Sequence, residues 1–96
     1  MPTTIDAPVV KNRVTGGGGL ASGSQVVLYN DSHNKYDYVV QCLMAVFKHP
    51  ESMARKITEE AHRQGRAIAE VEDAEKAHAH VAQLGSMGLT AAVEGF

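Results

Sequence analysis

Val26-Val27-Leu28-Tyr29-Asn30-Asp31-Ser32-His33-Asn34-Lys35-Tyr36-Asp37-Tyr38-Val39-Val40 is a β-branched run that stops at polar residues and restarts with helical spacing. Val26 to Tyr29 is short, branched and aromatic, the make-up of a buried strand. Asn30 to Asn34 then crowds side chains able to hydrogen-bond backbone or ligand into a single turn. Asn34 is a natural N-cap, and Asp37, three residues on, is placed to turn back to the free amides as in a capping box. The stretch therefore predicts strand, polar loop, and a helix from about Lys35. A tight polar loop between two rigid elements is good ground for a binding site.

Working outward, Tyr36, Val39, Val40, Leu43, Val46 and Phe47 recur at three- and four-residue steps and make one apolar face. Lys48-His49-Pro50 ends that helix, and Pro50-Glu51 opens another with an acidic charge at its positive end. Met53, Ile57 and Ala61 predict the second stripe, Thr58 and His62 the row beside it, and Gly65 the left-handed stop. Arg66 to Val71 alternates as a half-buried strand does. Asp73 caps a third helix with Ala74, Ala77, Val81 and Leu84 inward, Gly85-Ser86-Met87-Gly88 breaks it, and Leu89 to Val93 forms the last strand.

The order is thus β-α-α-β-α-β, and its topology leaves few choices. A helical hairpin between the first two strands makes them antiparallel. One right-handed crossover helix makes the second and third parallel, with room for the first between them. The fold class is α+β: a three-stranded antiparallel sheet with three helices packed on one face.

Upstream, Met1 to Ser24 differs in composition, with Pro2, Pro8, a Gly16 to Gly19 run and Gly23, and sustains no period. We read residues 1–24 as a flexible N-terminal arm and 25–96 as the folded core. The formal net charge of −2 and the lack of a basic cluster argue against a nucleic-acid partner. Cys42 is the single cysteine and lies on an apolar face, which leaves no disulfide framework or thiolate metal cluster and fits a reducing compartment. No leader pattern precedes the core, and no run approaches the ~20 apolar residues of a membrane span. A soluble cytoplasmic protein without cofactor or metal is expected. His33, His49, His78 and His80 are expected in solvent, since His78 and His80 point about 200° apart on a helix and no carboxylate partner is well placed.

Leu28-Tyr29-Asn30-Asp31, then Tyr38-Val39-Val40 with Leu43, then Ala61-His62-Arg63-Gln64-Gly65-Arg66-Ala67 and finally Leu89, together resemble the ClpS family, adaptors of bacterial and plastid Clp proteases. The resemblance covers about Val26 to Glu94. It implies a protein that cleaves nothing, but binds proteins with destabilising N-terminal Leu, Phe, Tyr or Trp and delivers them to a ClpA- or ClpC-type AAA+ unfoldase. Carried over by position, Asn30, Asp31, Ser32, Asn34 and His62 would meet the N-terminal ammonium and peptide. Tyr36, Val39, Thr58, Ala61 and Leu89 would line the side-chain pocket. Glu75 and His80 would touch the unfoldase, and the N-terminal arm would engage its pore.

The residues support such a reader on their own terms, because a free N-terminus needs acceptors for its ammonium beside an apolar hole. Four pocket positions depart from the family's pattern, and His80 stands where a lysine is common. Ser32 stands where a second Asp is common, Tyr36 replaces a methionine, Thr58 replaces Met or Leu, and Ala61 also differs. A ClpS-like binder with another ligand therefore remains the alternative. An enzymatic His62–Asp31 dyad is disfavoured, since no nucleophile or oxyanion motif accompanies it.

Overall fold

The computed structural model describes residues 23–95. Six elements follow in order: β1 (Ser24–Tyr29), α1 (Tyr36–Phe47), α2 (Glu51–Gln64), β2 (Arg66–Glu72), α3 (Ala74–Ser86) and β3 (Thr90–Gly95). β1 is central in the order β2-β1-β3 and pairs antiparallel with both neighbours, as the crossover argument requires. The arm expected over residues 1–24 lies outside the described residues except at its end, where Gly23 and Ser24 already lead into β1.

Alternation along β1 sends Val26 and Leu28 into the helix-packed core and Val27 to the other face of the sheet. Between sheet and helices lie Val40, Cys42 and Leu43 of α1, Ala54 and Ala61 of α2, and Ala77 and Leu84 of α3, all buried. The far face is bridged by polar groups. Tyr29 hydrogen-bonds Glu94, which also accepts from Arg66 at 2.8 Å, and the Arg66 guanidinium lies over the Tyr29 ring. That network runs beside Val27, which is fully buried although its face carries no helix.

Several local expectations are corrected. Asn34 is not the N-cap of α1: Lys35 holds that position with no side-chain cap, because Asn34 is recruited into the loop. Met53 is 45 % exposed and Ala54 takes the inward position on α2, a shift of about 100° around the helix. α3 runs through Gly85 and Ser86, and the chain turns only at Met87 and Gly88, where φ is 90°. β3 accordingly starts at Thr90, one residue after Leu89.

His49 and His80 are not solvated as expected. β2 carries an irregularity in its pairing with β1, since Val26 faces Glu70 while Val27 faces Ile68, so Ala69 is the extra residue of a bulge. The carbonyl of Ala69 lies 2.8 Å from His49 Nε2, which must carry the proton because a carbonyl only accepts. His80 Nδ1 lies 2.6 Å from Glu72 Oε2. Phe47 sits between the two rings, stacked on His49 and edge-on to His80.

Candidate functional site

The polar loop after β1 is organised by Asp31. Its Oδ1 accepts the backbone N–H of His33 at 2.9 Å and of Asn34 at 3.0 Å, and Asn34 Nδ2 reaches both carboxylate oxygens at 3.2 and 3.1 Å. This is the side-chain-to-backbone closure that Asp provides in a turn. Burial by itself would raise the Asp31 carboxyl, but the hydrogen bonds from Asn34 and His33 outweigh it and hold the group below its ordinary value. Asp31 is therefore a fixed negative charge at neutral pH.

Two ties join this loop to distant parts of the chain. The Asn30 N–H donates to the Gly65 carbonyl at 3.0 Å, fastening the end of β1 to the turn that closes α2. Gly65 takes φ 92° there, and its own N–H bonds back to Ala61. On the other side, Asn34 Nδ2 donates to the Gly88 carbonyl at 2.9 Å and Tyr38 Oη to the Met87 carbonyl at 2.6 Å. The α3–β3 turn is thereby held against the loop, and Leu89 follows it directly.

Among these elements lies a cavity of about 350 Å³. Asn30, Asp31, Ser32, Asn34 and His62 line it, and so do Tyr36, Val39, Thr58, Ala61 and Leu89. All ten side chains assigned to ammonium, peptide and side-chain binding thus meet around one space. Burial sorts them: Asn30, Ser32 and His62 are exposed, whereas Thr58, Ala61 and Leu89 are 5 %, 3 % and 5 % exposed. The cavity has a polar, acceptor-rich rim and an apolar floor, which suits a guest with a cationic head and an apolar tail.

Leu28 and Tyr29 also line the cavity and were not among the site residues assigned from the sequence. The inward turn of Leu28 was legible in the strand alternation. The roles of Gly65 and Tyr38 in joining the halves of the site had no sequence signal, because their partners, the Asn30 N–H and the Met87 carbonyl, are backbone groups remote in the chain. Glu75 and His80 stand apart from the cavity on α3. Glu75 is exposed in the first turn after the Asp73 cap, where its charge complements the helix dipole. His80 is half-buried and engaged with Glu72. Among the described residues no group of three or more His, Cys, Asp or Glu is placed to hold a metal ion, and no helix is long and apolar enough to cross a membrane.

The chain matches the family model described as ATP-dependent Clp protease adaptor protein ClpS over residues 22–92. It is 35% identical over 60 residues to the ATP-dependent Clp protease adapter protein ClpS of Syntrophus aciditrophicus (strain SB), covering 62% of this chain and 56% of that protein. It is 40% identical over 76 residues to the adapter CLPS1, chloroplastic, of Arabidopsis thaliana, covering 78% of this chain and 48% of that protein. The chain therefore spans about half the length of the curated relatives it matches. The fold superposes on Agrobacterium tumefaciens ClpS2 bound to L-phenylalaninamide with a TM-score of 0.76 at 26% identity, covering 79% of this chain and 99% of that one.

Proposed function

The chain belongs to the ClpS family of Clp protease adaptors, and from that premise we propose that its cavity binds the free N-terminus of proteins beginning with Leu, Phe, Tyr or Trp and delivers them to a Clp AAA+ unfoldase. One observation carries the reading: Asn30, Asp31 and His62 stand on the rim of the same cavity whose floor is Thr58, Ala61 and Leu89. L-phenylalaninamide, bound to the structural relative, has the chemistry this arrangement complements, namely an ammonium, an aromatic side chain and one amide.

In this reading Asn30 Oδ1 and a neutral His62 nitrogen accept from the ammonium, and Asp31 supplies the charge. Ser32 accepts through a hydroxyl without adding charge. Asn34 donates to Asp31 and Gly88 through Nδ2, which leaves its amide oxygen for a peptide N–H. Burying one large apolar side chain contributes about 2–3 kcal/mol and each charge-assisted bond about 1.5–3 kcal/mol. Less the cost of ordering the peptide, the affinity falls roughly in the micromolar range. Such a complex forms readily and still releases its cargo.

Delivery uses a second surface, for which exposed Glu75 is the proposed contact. His80 contributes there only if it leaves Glu72. The residues ahead of β1 are the proposed handle for the unfoldase. The test is a degradation assay with a ClpA- or ClpC-type unfoldase, its peptidase and a reporter beginning with Phe. Adding the full chain accelerates loss of the reporter, and a chain lacking residues 1–22 binds the reporter without accelerating its loss. No acceleration by the full chain with any unfoldase of that class rejects delivery.

A further inference from the structure

The end of α3 is held by side chains from another part of the fold. Its last turn carries no basic residue, and the chain leaves it through Met87 and then Gly88, where φ is 90°. The Met87 N–H is taken up by the carbonyls of Gln83 and Leu84, and the Leu89 N–H by that of Leu84 at 3.0 Å. The carbonyls of Met87 and Gly88 find their partners about fifty residues away in the sequence. Tyr38 Oη donates to Met87 at 2.6 Å, and Asn34 Nδ2 donates to Gly88 at 2.9 Å.

These two ties differ in what stands behind them. Asn34 belongs to the polar loop, and its amide is shared between Gly88 and the Asp31 carboxylate. Tyr38 lies in the first turn of α1, whose Val40 and Leu43 are buried in the core. Of the two, Tyr38 alone connects the turn to a packed helix, and a group held on a helix is placed more closely than one held on a loop. The turn does not supply that rigidity itself, since glycine admits many backbone conformations. Directly after it comes Leu89, 5 % exposed, which lines the cavity although Tyr38 does not.

We infer that Tyr38 is a positioning residue for the peptide site: through the Met87 carbonyl it fixes the α3–β3 turn, so that Leu89 stands in place as a wall of the cavity before a guest arrives. This rests on the reading that the cavity takes a free N-terminus. A wall set in advance raises affinity, because binding need not also order it. Without the hydroxyl the Asn34 tie remains, but it moves with the loop. One lost tie of this kind weakens binding about threefold to tenfold.

The experiment combines calorimetric titration of the full chain with amide hydrogen exchange. Tyr38→Phe keeps the ring and removes the donor. A peptide beginning with Phe is then expected to bind about threefold to tenfold more weakly. Exchange at the Gly88 and Leu89 amides should quicken more than at Val26 and Leu28 of β1. In a Leu89→Ala background, where the wall is already cut back, Tyr38→Phe should change affinity by less than about twofold. If Leu89→Ala does not fold, Leu89→Val completes the same cycle. A merely structural Tyr38 behaves otherwise, since lower stability alone leaves the affinity of the folded chain unchanged. Unchanged affinity overturns the proposal, as does unchanged exchange at Gly88 and Leu89, or a loss as large with the Leu89 substitution as without it. Failure of the underlying reading looks different: the unaltered chain then binds the N-acetylated Phe peptide as well as the free one, or binds neither.

Discussion

At the scale of single residues, Asp31 is the group on which the loop depends. Its carboxylate gathers the His33 and Asn34 backbone and the Asn34 side chain, and these bonds depress its proton affinity against the opposing effect of burial. A depressed carboxyl stabilises the fold fully above its unfolded value of about 3.9 and loses that contribution as the pH falls through the folded value. The loop should therefore hold through neutral and mildly acidic pH and loosen below about pH 4. Asp31→Asn should cost about 0.5–1.5 kcal/mol at pH 7 and flatten the fall in stability below about pH 4, measured by thermal melting across pH. Asn30, Asp31 and His62 were legible as candidates because their chemistry is carried by the side chain itself. His49 and His80 were not, because what captures them is a bulge carbonyl on β2 and Glu72 at that strand's end, which no helical period reveals.

At the scale of elements, the turn at Gly65 does more than end α2. Its φ of 92° suits glycine, and its carbonyl holds the Asn30 N–H that sets one half of the site against the other. Nothing lies within 4 Å of a Cβ built there, so the cost of a side chain is backbone strain and not a clash. Gly65→Ala should destabilise by about 1–2 kcal/mol in chemical denaturation. It should also weaken peptide binding, because His62 lies in the last turn of the same helix. Gly65 was readable as a helix stop, and Asp73 as a cap is borne out by its bond to the Lys76 N–H. The start of α1 was misread for a physical reason: Asn34 had two competing uses, and the tertiary one, bridging Asp31 and Gly88, prevailed over the local cap.

At the scale of the whole molecule, element order alone determined the topology. A hairpin of helices and one right-handed crossover admit a sheet with β1 in the middle, and the structure has it. That arrangement places the end of β1, the end of α2 and the start of β3 side by side, which is why residues from Leu28 to Leu89 surround one cavity. The extent of each element was less legible, since Met53 and Ala54, or Leu89 and Thr90, differ little in propensity and are told apart only by packing. The central claim is that this convergence reads a free amino terminus. Titrating the full chain with a peptide beginning with Phe and with its N-acetylated counterpart tests it most directly. The free peptide is expected to bind with roughly micromolar affinity, with at least about a tenfold loss on acetylation, which removes the ammonium charge and its donors. Equal affinity for the two peptides would contradict it.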